Sequence, residues 1–138
     1  MAVSEESLKC TRIAAKSAHE LKATSVFAID VSERLALAEG FLVVSGSSDR
    51  QVRSLVDEVE RALHEAVGLR PVHTEGLGDA RWVLLDYGDL VVHVQQDEDR
   101  DFYALDRLWG DCPSVDLDVP DGQGEAADAG AVDSGATA

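Results

Sequence analysis

An α/β domain, layered around a mixed sheet of about five strands, is the fold class this sequence predicts. Three observations carry it. Residues 4–21 and 50–67 each repeat apolar or small side chains with the period of a helix that buries one face. Residues 26–31 (VFAIDV) and 41–44 (FLVV) are short β-branched runs, as buried strands are. Residues 81–95 (RWVLLDYGDLVVHVQ) alternate on both sides of Gly88-Asp89, the pattern of a hairpin. The order helix, strand, strand, helix, strand, hairpin, helix places helices in layers on a sheet.

Each element has its own warrant. Ser4 offers a helix N-cap, and Glu5 and Glu6 suit the positive end of the helix dipole. Cys10, Ile13, Ala14, Ser17, Ala18 and Leu21 then form a narrow face of mostly small residues, which permits close packing on a sheet. The FLVV strand ends in Ser45-Gly46-Ser47-Ser48-Asp49, a turn that also offers a helix cap. The second helix is predicted over 50–66, with Val52, Leu55, Val56, Val59, Leu63 and Val67 on one face and Gly68 as its stop. A third strand falls within 70–75, and Gly76-Leu77-Gly78-Asp79 is a loop.

In the hairpin, Gly88 takes the positive-φ position of a two-residue turn. Position 87 then faces 90, 86 faces 91, and 84 faces 93. Alternation sorts Val83, Leu85, Tyr87, Leu90, Val92 and Val94 onto an apolar core face. Trp82, Leu84, Asp86, Val91, His93 and Gln95 share a mixed face, either covered by a helix or offered to a partner. A closing helix over 98–108 carries Phe102, Leu105 and Leu108 at spacings of three, with Gly110 beyond it.

Composition narrows the function. The chain has 138 residues, the size of one domain, and its formal net charge is −15. Such acidity is repelled by phosphate backbones, which disfavours nucleic acid as the main partner. No run approaches the roughly 20 apolar residues of a membrane span, and no secretory signal is read at the N-terminus. Two cysteines, Cys10 and Cys112, are too few for a disulfide framework or a zinc site. The expectation is a soluble cytoplasmic protein with free thiols. Residues 114–138 contain six acidic residues and no basic one, leaving residues 1–113 with a net charge of −9. They are expected to form a disordered acidic tail, a solubilising extension beyond a domain spanning 1–113.

Catalytic patterns are weak. Gly46-Ser47 followed by Asp57 echoes nucleotidyltransferases, whose paired carboxylates lie on a strand and share magnesium ions. Here Asp57, Glu58 and Glu60 fall on the predicted helix, as a solvated acidic face does. The Gly46–Asp49 turn lacks P-loop spacing and reads as a cap. His19, His64, His73 and His93 stand apart, and no nucleophile elbow is present. Trp82 on the mixed face, near Glu75 and Asp86, is either a core residue under a helix or an interface anchor whose carboxylate surroundings select a basic partner.

Trp82-Val83-Leu84-Leu85-Asp86-Tyr87-Gly88-Asp89, with Val91-Val92-His93-Val94 after it, resembles the signature of the Iojap family, the ribosomal silencing factors. Ile29-Asp30-Val31, residues 45–52 (SGSSDRQV) and residues 100–109 (RDFYALDRLW) agree with it in the same order. Together they cover residues 5–113. The resemblance implies the α-β-α fold of nucleotidyltransferases without their activity, with no catalytic residue, cofactor or metal. It implies binding to the large ribosomal subunit through large-subunit ribosomal protein fourteen, at the face where the small subunit docks. Subunit joining is thereby blocked and translation repressed when nutrients run short. The family's partner-contacting positions fall on Glu75 and Trp82, and Asp86 and Tyr103 match motif residues nearby. Free members are often homodimers, and neither membrane binding nor much direct nucleic-acid contact is implied. Two positions depart from the family pattern while keeping its charge: Glu39 before Gly40, and Asp106 after Tyr103-Ala104-Leu105. The alternatives are a nucleotidyltransferase-like enzyme with an unusual metal site, and an assembly adaptor for the large subunit.

Overall fold

A computed structural model describes residues 4–118. The chain runs α1 (Glu5–Glu20), β1 (Ser25–Asp30), β2 (Gly40–Gly46), α2 (Asp49–Val67), β3 (His73–Glu75), β4 (Trp82–Asp86), β5 (Leu90–Gln96), α3 (Asp97–Tyr103) and α4 (Leu105–Leu108). The five strands form one sheet in the order β1-β2-β5-β4-β3. β2 and β5 are parallel, and every other neighbouring pair is antiparallel. The α2 crossover explains the mixture. It returns the chain so that β3 enters parallel to β2 at the far edge. β4 folds back through the 76–81 loop and β5 through the 87–89 turn, and they fill the gap.

The predicted signals act where expected. The Ser4 hydroxyl accepts from the Ser7 N–H, and the Ser48 hydroxyl accepts from the Gln51 N–H. Gly68 ends α2 in the left-handed conformation. In the hairpin Leu84 faces His93 and Asp86 faces Val91, around a Gly88 with φ of 93°.

One face of the sheet lies under α1 and α2. Val26, Leu42, Val44, Val83, Leu85, Val92 and Val94 pack there against Ala14, Ala15 and Ala18 of α1 and the Val/Leu stripe of α2. The small residues of α1 permit the close approach. The other face holds a second cluster of Phe27, Ile29, Phe41 and Val43, covered by Val31, Ala38 and Leu105, with Trp82, Val91 and Trp109 at its margin.

Two expectations change. The closing helix is not continuous: Ala104, at φ 46°, breaks it into α3 and α4. Leu105 turns inward and is buried, whereas Phe102 and Leu108 remain 80% and 65% exposed. The tail boundary after Pro113 also moves. Ser114 bridges Ile29, the Val115 N–H donates to the Ala28 carbonyl, and Leu117 is buried in the first core. These residues extend the edge of β1 and belong to the domain. The rest of the expected tail, 119–138, lies outside the described residues.

Candidate protein-docking face

The mixed hairpin face is covered only in part. α3 packs over the β5 and β2 end, so His93 and Gln95 are buried. Trp82, Leu84, Asp86 and Val91 remain only partly covered. The pairing of β3 with β4 extends this open area, because Glu75 lies opposite Leu84 and His73 opposite Asp86.

The position of α3 is set by charge-assisted bonds at its start. The Arg81 guanidinium donates to both oxygens of Asp99, from Nε at 3.1 Å and from Nη2 at 2.7 Å. Arg81 holds the nearly buried Asp99 carboxyl below its usual range. The Gln96 N–H donates to the Arg81 carbonyl at 2.8 Å, joining the strand end to the helix start. Asp97, Glu98 and Asp99 in the first turn suit the helix dipole.

Held this way, α3 brings Tyr103 over Trp82, with ring centroids 4.7 Å apart and planes tilted by 48°. Phe102 meets Tyr103 edge-on at 5.0 Å. The three rings form a step that rises from half-buried Trp82 through Tyr103 to exposed Phe102. Beneath it, the Trp82 Nε1–H donates to His93 Nδ1 at 3.1 Å. Burial pushes the His93 pKa down to about 4, so its imidazole is neutral with the proton on Nε2. Phe41 packs edge-on against His93 at 4.6 Å and against Trp109 at 5.3 Å. The indole is therefore held between a buried acceptor below and an aromatic ring above.

Among the four residues singled out from sequence, Trp82 and Tyr103 are in direct contact. Glu75 and Asp86 share their face but not their contacts. Glu75 is exposed, with His73 Nε2 2.6 Å from its carboxylate. Asp86 accepts from the Gly88 N–H at 2.8 Å, so its carboxylate also shapes the hairpin turn. Gly76 lets the loop pass Trp82: at φ 91°, a Cβ there would lie 2.1 Å from the Trp82 carbonyl oxygen.

The sequence put His93 on this face without its bond to Trp82, and put Phe102 on a stripe with Leu105 and Leu108 rather than beside Tyr103 in the step. Adjacent residues on a helix point about 100° apart, so Phe102 and Tyr103 could not both face the core. Trp82 and His93 are diagonal neighbours on one face of the hairpin, a contact implicit in the register.

The transferase-like features lie elsewhere. Asp57 and Glu60 are on α2, across the sheet from this face. Gln51 accepts from the Ser47 N–H at 2.7 Å, and with Ser48 it makes the Gly46–Asp49 turn the cap of α2. Among the described residues no three His, Cys, Asp or Glu side chains converge to hold a metal ion.

Comparison with known proteins shows the family and the fold. The family described as "Ribosomal silencing factor during starvation" matches residues 4–137. The chain belongs to the ribosomal silencing factor family. Ribosomal silencing factor RsfS of Bacillus subtilis is 39% identical over 107 residues, 78% of this chain and 90% of that protein. RsfS of Chromobacterium violaceum is 36% identical over 100 residues, 72% of this chain and 81% of that protein. A crystal structure of a Chromobacterium violaceum protein superposes with a TM-score of 0.71 at 34% identity, covering 80% of this chain and 88% of that one. A Bacillus halodurans structure gives 0.67 at 33% identity, over 82% and 99%. The family match runs past residue 113, where the motif resemblance stopped. No helix among the described residues of this silencing-factor family member is long and apolar enough to cross a membrane.

Proposed function

We propose that this chain docks on the large ribosomal subunit through large-subunit ribosomal protein fourteen, with Trp82 and Tyr103 as anchors and Glu75 and Asp86 as flanking charges. The observation that supports it is the aromatic step on a rigid floor. Trp82 and Tyr103 present apolar area whose orientation is set in advance, at low entropic cost on binding. The carboxylates beside it favour a basic protein surface, and the net charge of −15 disfavours phosphate as the direct contact. Docked at the joining face, the protein excludes the small subunit by its bulk and represses translation under nutrient limitation. It uses no catalysis and no cofactor. It works in the cytoplasm, and copies not bound to the ribosome pair as homodimers.

Occlusion makes a quantitative demand. Inhibition of subunit joining saturates at about one copy per large subunit, and it is strongest when the protein is added before the small subunit. Light scattering of mixed subunits, with the protein added before or after joining, reads both. Substoichiometric inhibition that needs added nucleotide would revive the transferase reading. Binding without any block of joining would favour the assembly adaptor.

A further inference from the structure

α3 covers the sheet without an apolar face of its own. Asp99 is the one residue it buries, whereas α2 buries a stripe of Val and Leu. Phe102 and Tyr103, its aromatic side chains, stay exposed. The floor beneath it is polar. Gln95 is fully buried, yet neither its carboxamide oxygen nor its nitrogen has a hydrogen-bond partner among the described residues. His93 Nε2, two positions away on the same face, and Arg100 Nε of α3 itself are buried and unpaired as well. Water would satisfy all four atoms, so the closed contact is made at a cost in hydrogen bonding. Polar restraints oppose that cost. Arg81 grips both oxygens of Asp99 and lies 3.4 Å from the Glu98 carboxylate. The Thr24 hydroxyl donates to Asp97, and the Arg100 guanidinium lies 5.8 Å from the Phe27 ring centroid. Both ends of α3 are weakly built: Gln96 gives it no side-chain cap, and left-handed Ala104 interrupts the helix.

We propose that α3 is a latched lid, which opens as a unit from the folded sheet, with the Arg81–Asp99 pair as its latch. Opening hydrates Gln95, His93 and Arg100 and gives up little apolar burial. The core under α1 and α2 lies on the opposite face of the sheet and is common to the closed and open forms. Opening also carries Tyr103 away from Trp82, so the aromatic step exists only while the latch is closed. The lid thereby controls the step. It rests on contacts within this chain and not on what the step binds.

Hydrogen exchange of the full chain, followed by NMR at increasing urea, tests the lid. Its reporters are the amides of 101–104 and the Trp82 Nε1–H, which is bonded to His93 at the edge of the floor. They should exchange through one shared opening, at least about a hundredfold more frequent than the opening that exposes the α2 amides of 55–63. That opening should depend little on urea, because it exposes little surface. Two variants separate it from global unfolding. Asp99→Asn removes a charge-assisted pair present only in the closed form, so lid opening should become about tenfold more frequent. Val59→Ala weakens the core that closed and open forms share, so the α2 amides should exchange faster while the lid reporters do not change. Lid amides that match α2 in rate and urea dependence, or that follow it in Val59→Ala, would show that α3 does not open by itself. Unchanged lid opening in Asp99→Asn would show that Arg81–Asp99 is not the latch. A Trp82 Nε1–H that exchanges independently of 101–104 would show that the opening does not reach the step. Each of these results overturns the proposal.

Discussion

Trp82→Ala should cost the protein both stability and affinity, and the two losses have separate physical origins. The indole Nε1–H is the partner of His93 Nδ1 at 3.1 Å, and His93 Nε2 has no partner of its own. Truncation leaves the buried imidazole without either bond, at a cost of about 1–3 kcal/mol. Removing a fully buried Trp costs about 3–5 kcal/mol. Trp82 is only partly buried, so roughly half of that is at stake, and the two contributions overlap in the same site. A loss near 3 kcal/mol is expected. Trp82→Phe keeps most of the packing against Tyr103 and removes the donor alone, so about 1–2 kcal/mol is expected. For docking, loss of an aromatic anchor at the interface centre costs about 2 kcal/mol or more, close to thirtyfold in Kd. Urea unfolding monitored through the remaining Trp109 gives the first quantity. Titration of large subunits with the folded variant gives the second. An unchanged unfolding midpoint for Trp82→Ala would refute the assigned packing. Unchanged affinity of the folded variant would place the docking face elsewhere.

Other perturbations probe the same scaffold. His93 titrates near 6.5 in the unfolded chain and at about 4 when folded, so as pH falls below about 6.5 only the unfolded state takes up the proton. Stability should therefore fall by up to about 3 kcal/mol between pH 6.5 and 4, and His93→Gln should flatten that part of the urea-midpoint profile. A chain ended after Pro113 should unfold about 2–3 kcal/mol more easily than one ended after Asp118, because it lacks buried Leu117 and the Val115 bond to β1. Equal midpoints for the two chains would show that residues 114–118 contribute nothing to the fold. Gly76→Ala should cost more than about 2 kcal/mol, since a left-handed φ and a 2.1 Å clash with backbone add together. Gly88→Ala has the left-handed φ but open space around it, and about 1 kcal/mol is expected in the same melts.

Much of this architecture could be read without coordinates, because it is written in local periodicity. The Val/Leu stripe of α2 and its Gly68 stop come from a repeat of 3.6 residues and one left-handed position. The hairpin register comes from strict alternation on both sides of Gly88, and it placed Trp82, Asp86 and His93 on one face. The motif order from residue 29 to 109 pointed to the family independently of either pattern.

Packing decided the fate of each face. Nothing local says that β2 pairs in parallel with β5, a contact between residues about fifty positions apart, or that α3 covers His93 while leaving Trp82 half open. The spacing of Phe102, Leu105 and Leu108 suggests one buried stripe. Ala104 breaks the helix in a left-handed conformation that alanine does not advertise, and two of the three side chains stay in solvent. Leu117 looked like part of a polar tail until the edge of β1 offered its neighbours a strand partner. The physical reason is common to these cases. Sequence periodicity determines which side of an element is apolar, whereas burial of that side depends on the area that distant elements supply and on where their backbones can turn.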